Sequence, residues 1–221
     1  MNGVLSLIFF SIEFLLLIFV IRSSGKNKTN YLFTVLLVLL AVYQFFEFLI
    51  CGMELKIPVV TYLAFVTITF MPPLGLFAVW RFGEVKSKYT LLIFLPAAFF
   101  TVYYLTVLSK FEVLKCTPYY AAYNYPLGFL YGLFYYLPVL VILIISLYKS
   151  YFVRSGIYKI KLWKIIFWGY AITFIPGFIV TRIFPEMFFA VESILCKFAF
   201  ILFWFIVYFI KSNKTTKAEN N

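Results

Sequence analysis

The sequence of 221 residues contains no histidine and no aspartate, so all eight of its acidic residues are glutamates. These absences exclude a Ser-His-Asp triad, a zinc site of the H-E-x-x-H kind, an aspartate pair for intramembrane proteolysis and an aspartate-rich magnesium site. The three cysteines are too scattered for a C-x-x-C motif, and the chain has neither a P-loop nor a G-x-G-x-x-G segment. We therefore expect no enzyme activity, no cofactor and no bound metal.

Charge is scarce as well, since only 12% of the residues are charged, whereas 65% are hydrophobic and 24% are aromatic. Soluble domains contain about 25% charged residues, so this composition cannot cover a surface that faces water. A soluble globular protein is thereby excluded. The composition predicts a protein whose main partner is the lipid bilayer.

Long apolar runs predict an all-α fold, a polytopic membrane bundle of seven transmembrane helices. Crossing the hydrocarbon takes about 20 apolar residues in a helix, and a lone strand would leave its backbone unsatisfied in lipid. The predicted spans are residues 4–21, 31–51, 58–80, 90–108, 126–148, 163–184 and 187–210. Connections are short, so residues 1–210 form one domain and residues 211–221 a short basic tail. The first span lacks a cleavage pattern and is predicted to be retained.

Basic residues orient the predicted bundle, because cytoplasmic loops carry an excess of lysine and arginine. Fourteen basic residues follow spans one, three, five and seven: Arg22, Lys26, Lys28, Arg81, Lys86, Lys88, Lys149, Arg154, Lys159, Lys161, Lys164, Lys211, Lys214 and Lys217. The other side has Lys56, Lys110, Lys115 and Arg182. This bias places the N-terminus outside and the C-terminus in the cytoplasm of a multi-pass protein of the cell membrane. The net charge of +11 then reflects contact with anionic headgroups, not with nucleic acid.

Four ionisable residues lie inside predicted spans, where such groups are rare and mark functional sites by default. From the rise of about 1.5 Å per residue, Glu13 lies about 13 Å below the outer end of span one and Glu47 about 6 Å below that of span two. On span seven, Glu192 lies about 7 Å and Lys197 about 15 Å from the outer end. All four therefore fall in the outer half of the bilayer or near its midplane.

The spacing of these residues predicts shared helix faces. Gln44 and Glu47 are three residues apart on span two, and the polar residues from Glu192 to Lys197 fill an arc of about 140° on span seven. With Glu13 on span one, they predict a polar, outward-facing pocket between spans one, two and seven. Glu13 and Lys197 share a depth and are expected to pair, which leaves Glu47 and Glu192 to be protonated, to share a proton or to hold a cation. A hydrogen-bond network that only fixes packing is the competing interpretation.

Prolines interrupt two predicted spans. Pro72 and Pro73 lie within span three, and Pro176 lies within span six. Each proline removes a backbone hydrogen bond and frees a carbonyl oxygen, which a cavity or a neighbouring helix can satisfy. Broken helices often flank transport sites. Ordinary kinks, which are common in membrane helices, are the preferred interpretation.

Two cysteines are predicted to lie on the outer side. A disulfide between Cys51 and Cys116 would tie the tyrosine-rich segment 116–126 to the end of span two. That segment either lies on the headgroups as an aromatic belt or covers a ligand site. Cys196, which lies within the bilayer, is expected to be a small packing residue.

The sequence resembles a group of seven-helix prokaryotic integral membrane proteins that have no established activity. These proteins carry a glutamine and a glutamate three apart in the second span, an aromatic, proline-rich third span and a cysteine in the last span. The corresponding residues here are Gln44, Glu47, Pro72, Pro73 and Cys196. The resemblance implies the seven-helix topology and directs attention to Glu47.

The leading hypothesis is a membrane protein that binds or transports a small solute, a proton or a cation through the outer pocket. The alternative is a structural or sensory protein that docks a protein partner or anionic lipid through its basic cytoplasmic segments. Two remote alternatives remain. A lysine midway along the last of seven helices is similar to that of microbial rhodopsins, although span three lacks a counter-ion carboxylate, and an intramembrane enzyme would have to use Glu47, Cys196 or Lys197.

Overall fold

The computed structural model describes residues 3–23, 27–85, 90–153, 156–183 and 190–219. Within these residues the chain forms seven α-helices and one two-stranded sheet. The helices are α1 Val4–Ser23, α2 Lys28–Cys51, α3 Pro58–Phe82, α4 Leu95–Thr106, α5 Gly128–Tyr151, α6 Ile157–Ile183 and α7 Val191–Glu219. The strands are β1 Glu112–Cys116 and β2 Ala121–Asn124. The predicted all-α class is confirmed, and the sheet is a small addition to it.

Six of the described helices are long and apolar enough to cross a membrane: α1, α2, α3, α5, α6 and α7. The fourth apolar helix, which runs from Thr90 to Thr106 and begins with a 3-10 turn, is shorter. Large apolar side chains on the outer surface are exposed, among them Leu15 at 68% and Phe129 at 80%. An exposed apolar surface of this extent is unfavourable in water and is compatible with a helical membrane protein.

The helices form a ring that α7 closes. Each long helix packs against its neighbour in sequence, α3 packs against α5, and α7 contacts both α2 and α1. The short α4 lies outside the ring against α3. Because α7 returns to the first two helices, residues near its start come close to residues of α1 and α2.

The connection between α4 and α5 forms an antiparallel hairpin, which the sequence does not predict. Cys116 pairs with Ala121, and the register shifts between Val113 and Lys115. Tyr123 of β2 is only 1% exposed, so an aromatic belt on the headgroups is the wrong interpretation for this tyrosine. We call the end of the bundle that carries β1 and β2 the hairpin end, and the opposite end, where α1, α3 and α5 finish, the basic end.

In the described part of the chain the prolines lie inside continuous helices, as the interpretation as ordinary kinks requires. α3 continues through Pro72 and Pro73, and α6 continues through Pro176. Pro72 and Pro73 free the carbonyl oxygens of Ile68 and Thr69, and in membrane helices threonine side chains and adjacent helices can satisfy such groups. The Thr69 hydroxyl donates to the Phe65 carbonyl oxygen at 2.6 Å and lies 3.1 Å from the Tyr131 hydroxyl on α5.

Some predicted features lie outside the described residues. They are the basic residues Lys26, Lys86, Lys88 and Arg154, the side chains of Arg182, Lys214 and Lys217, and the junction of predicted spans six and seven at residues 184–189.

Close packing of α6 on α7 depends on Gly169. A Cβ atom added there would lie 2.9 Å from the Phe205 Cβ, which is fixed to its backbone. Gly169→Ala should therefore lower the free energy of unfolding by about 1–3 kcal/mol. Gly132→Ala on α5 is the matched control, because its Cβ would meet only the Tyr136 ring at 3.8 Å. Unfolding of both variants in detergent micelles measures the difference, and equal stability would contradict the tight α6–α7 contact.

Candidate functional site

The ammonium of Lys197, in the second turn of α7, lies at the centre of the candidate site. Its Nζ is 3.0 Å from the Glu47 Oε1. It also donates to the Gln44 Oε1 at 2.8 Å and to the Ser6 Oγ at 2.8 Å. Three helices therefore meet in one cluster: α7 supplies the ammonium, and α1 and α2 supply the oxygen atoms around it. The structure brings together the predicted residues Gln44, Glu47 and Lys197.

Gln44 uses both ends of its amide. Its Oε1 accepts from Lys197, while its Nε2 donates to the Cys196 carbonyl oxygen of α7 at 2.9 Å. The residue is fully buried. An amide is the side chain that can accept from an ammonium and donate to a carbonyl at the same time. Gln44 therefore fixes the rotation of α7 relative to α2.

Glu47 has a second hydrogen-bond donor besides Lys197. The Ser193 Oγ donates to the Glu47 Oε1 at 2.8 Å and accepts from the Ala121 backbone N–H at 2.9 Å. One hydroxyl thus joins the carboxylate of α2 to strand β2. The other carboxyl oxygen, Glu47 Oε2, is buried and has no hydrogen-bond partner among the described residues.

The Glu47–Lys197 pair is nearly removed from water, with side chains 2% and 13% exposed. Phe9, whose ring centroid lies 6.0 Å from the Lys197 Nζ, adds an aromatic face on the α1 side. Taking an ion pair out of water costs several kcal/mol per ion, which mutual attraction and further hydrogen bonds must offset. The hydrogen bonds from Lys197 to Ser6 and Gln44 and from Ser193 to Glu47 meet that requirement.

Glu13 does not form the expected pair with Lys197. Its side chain is fully buried, and neither carboxyl oxygen has a hydrogen-bond partner among the described residues. Helical side chains lean toward the N-terminus of their own helix, which for α7 is the hairpin end. Lys197 therefore reaches toward Ser6 and Glu47, above the level of Glu13, and the depth comparison of backbone positions missed this displacement.

Glu192 lies apart from this cluster. It is buried in the first turn of α7, where its Oε1 accepts a hydrogen bond from the Tyr125 hydroxyl. Tyr125 in turn packs against the rings of Phe65 and Tyr131, with centroids 4.5 Å and 5.6 Å away. The structure thus places Glu192 beside the aromatic core under the hairpin and not in contact with Lys197. The run of tyrosines was the sequence signal for this partner.

A disulfide joins Cys51, the last residue of α2, to Cys116, the last residue of β1, with Cα atoms 5.5 Å apart. Cys51 follows Glu47 by one helical turn, so the cross-link holds the hairpin above the carboxylate. Burial raises the pKa of Tyr123 on β2 well above its usual value, and the negative charge of Glu47 raises it further. The Tyr123 phenol therefore stays protonated and presents a neutral group to the site.

A small apolar cavity of about 30 Å³ occupies the centre of the bundle. Pro72, Tyr170 and Cys196 are among the residues that line it. A cavity of this volume has space for about one water molecule, not for a chromophore. Lys197 does not line it and is directed to α1 and α2 instead, so the geometry lends no support to retinal binding.

In the part of the chain that the structure describes, no three cysteine or acidic side chains come close enough to hold a metal ion. The oxygen atoms of the site already serve one ammonium. Chemically, the arrangement can hold and exchange protons. Another small cation could also take the place of the ammonium beside these oxygen atoms.

Comparisons with protein-family models, with curated proteins and with solved structures find no match to this chain.

The ion pair predicts a specific pattern of stability. Lys197→Met should lower the free energy of unfolding by about 3–5 kcal/mol, because it leaves the Glu47 carboxylate buried without its counter-charge. The double variant Glu47→Gln/Lys197→Met should lose less, since both charges leave together. Reversible unfolding in mixed micelles measures both.

The matched control is the exposed pair of Lys159 and Glu84, whose atoms are 3.1 Å apart and whose side chains are 40% and 78% exposed. Lys159→Met should change the free energy of unfolding by no more than about 1 kcal/mol. A loss for Lys197→Met no larger than this would show that the buried pair does not order the three helices.

Proposed function

We propose that this chain is a non-enzymatic integral membrane protein that binds protons at the buried carboxyl groups of Glu13 and Glu47, near Lys197, and uses their exchange to move protons, a small cation or a small solute. It acts in the cell membrane, with seven spans, the N-terminus outside and the C-terminus in the cytoplasm. The hairpin end then faces outward and the basic end faces the cytoplasm.

One observation carries the proposal, the imbalance of buried charge. Glu13, Glu47 and Glu192 are at most 4% exposed, and among the described residues Lys197, which pairs with Glu47, is the one cation that forms a salt bridge with any of them. Three ionised carboxylates around one ammonium would leave two uncompensated charges in a medium of low dielectric, which is very costly. Charge balance is reached when two of the three carboxyl groups hold protons.

Unsatisfied oxygen atoms support proton exchange at these glutamates over a network that only fixes packing. Buried polar groups in native proteins are almost all hydrogen-bonded, and exceptions call for an explanation. Here both oxygens of Glu13 and the Oε2 atoms of Glu47 and Glu192 have no partner among the described residues. Carboxyl groups that change protonation or partner during function supply such an explanation.

Seven crossings are supported by the path of the short α4. Phe94 at its start packs against Phe77 of α3, with ring centroids 5.9 Å apart, and Tyr104 near its end packs against Phe65 of α3 at 6.2 Å. α4 therefore runs antiparallel to α3, from the basic end toward the hairpin. The residues from Thr90 to Thr106 would span about 25 Å as a helix, close to the hydrocarbon thickness.

The alternative function, docking of a partner at the cytoplasmic face, is supported by a cleft of about 510 Å³ at the basic end. Arg81, Glu84 and Lys159 line it, together with Tyr158 and Asn213. Under this alternative the buried charges serve packing alone. The ion pair of Glu84 with Lys159 leaves Arg81 as the side chain there that is available to an anionic group.

Proton occupancy of Glu13 is directly measurable. Infrared spectra of the protein in H₂O and D₂O should show the C=O stretch of a neutral carboxylic acid that Glu13→Gln removes, because Glu13 has no counter-charge in contact. Glu112→Gln, which changes an exposed glutamate of β1, is the control and should leave the band in place. A band that is unchanged in Glu13→Gln would show that Glu13 is ionised.

Flux tests the function itself. Purified protein in liposomes that enclose a pH-sensitive dye should let protons cross under an imposed membrane potential. Glu47→Gln and Glu13→Gln should reduce this flux to that of empty liposomes, because each removes a group that exchanges protons, while Glu112→Gln should keep it. If both variants fold and conduct like the original protein, the transport proposal is wrong and the docking alternative gains.

A further inference from the structure

The hairpin covers the buried charges from the outer side. Its strand β2 is buried, with Ala121 at 0%, Ala122 at 8% and Tyr123 at 1% exposure. The Ala121 N–H donates to the Ser193 Oγ, which donates to the Glu47 Oε1, at 2.9 Å and 2.8 Å. One hydroxyl therefore separates the hairpin backbone from the carboxylate. Water that approaches Glu47 from the hairpin end meets β2 first.

Among the described residues, few polar contacts hold this cover in place. Besides the Ala121 bond, the Tyr125 hydroxyl, directly after β2, donates to Glu192. Both acceptors belong to the first turn of α7. An isolated two-stranded hairpin is marginally stable at best, so this one depends on these attachments, on the packing of Tyr123 and Tyr125 against Phe65, and on the disulfide.

The disulfide is the strongest tether of the hairpin, and it is placed where it controls the contact with Ser193. Cys116 pairs with Ala121 in the strand register, and Cys51 is the end of the helix that carries Glu47. The cross-link therefore holds the paired residues Cys116 and Ala121, and Ala121 is the residue whose N–H donates to Ser193. A disulfide that closes a separation of 65 residues removes much conformational freedom from the segment it ties.

The two sulfur atoms differ in access. Cys51 is 4% exposed, whereas Cys116 is partly exposed. A dithiol reductant can attack the Cys116 sulfur as a thiolate, which forms a mixed disulfide and releases Cys51 as a thiolate that takes up a proton. The second thiol of the reductant, as its thiolate, then displaces Cys116, which also takes up a proton. Two electrons pass from the dithiol, which becomes a disulfide, to the protein.

We propose that the Cys51–Cys116 disulfide is a thiol-exchange site that keeps the hairpin closed over Glu47, and that reduction by a dithiol on the outer side releases the hairpin and opens the site to water. The inference rests on the proposed function in one respect, since an opened site matters only if its carboxyl groups exchange protons. Ser193 is the positioning residue that transmits the state of the hairpin to Glu47.

Hydrogen–deuterium exchange of the full-length protein in micelles, before and after dithiothreitol, tests the lid. Reduction should speed the exchange of amides 112–124 and 191–197 by at least about tenfold, because their closed state is lost. Amides 30–40 of α2, toward the basic end, should not change. The variant Cys51→Ala/Cys116→Ala should show the fast pattern without reductant and should not respond to it.

Ser193→Ala is the matched control, because it removes the hydrogen bond from the Ala121 N–H and leaves the disulfide in place. With the disulfide intact its hairpin should remain protected, and reduction should then release it at least as fully as in the original protein. Amide exchange that is unchanged on reduction would contradict the proposal that the hairpin is a lid. Faster exchange throughout the bundle would contradict it as well, because the disulfide would then stabilise the whole fold and not the hairpin alone.

The exchange measurement does not depend on transport, so the two proposals can fail separately. A lid that does not open, together with a flux that Glu47→Gln abolishes, rejects the thiol-exchange site and keeps the proposed function. A lid that opens, together with a flux that ignores Glu47→Gln, does the reverse.

Discussion

The structure depends on placing one ammonium inside the apolar part of a helical bundle. Lys197 is 13% exposed, and an unpaired charge at that position would cost several kcal/mol. Its Nζ has three oxygen partners from two other helices, Glu47 and Gln44 on α2 and Ser6 on α1. The contact of α7 with α1 and α2 closes the ring of helices. The same contact supplies the oxygen atoms that replace water around the Lys197 ammonium. Apolar packing alone would leave the rotation of α7 less well determined.

The same requirement extends to the hairpin. Glu47 is neutralised on one side by Lys197 and receives a second hydrogen bond from Ser193, and that hydroxyl is oriented by the backbone of β2. Through Ser193, the hairpin thus contributes to the hydrogen bonding that replaces water around the ion pair. The disulfide from Cys51 to Cys116 holds this outer layer to the helix that carries the carboxylate.

Hydropathy alone predicted the all-α class and the positions of the six long apolar helices, because lipid admits few alternatives for a backbone. The helical spacing of polar residues also predicted that Gln44, Glu47 and Lys197 lie near each other, because it determines which side chains share a face of their helix. The pairing of Lys197 was mispredicted, because axial depth ignores the lean of the side chain toward its helix N-terminus. Whether Pro72 and Pro176 break their helices or only kink them could not be predicted, because the outcome depends on neighbouring helices that no sequence window shows; both helices continue past their prolines.

The hairpin was beyond prediction because short strands with many tyrosines have the same composition as an interfacial belt. Its position constrains what kind of transport the proposed function would be. The buried charged residues that the structure describes, Glu13, Glu47 and Glu192, begin at the hairpin end and go no deeper than the middle of α1. The cavity of about 30 Å³ at the centre of the bundle has a largely apolar lining. A continuous proton wire needs polar groups or water along its whole length, and the apolar lining of this cavity interrupts such a path between Glu13 and the basic end. If the protein transports protons, this arrangement therefore favours a carrier with alternating access over an open channel.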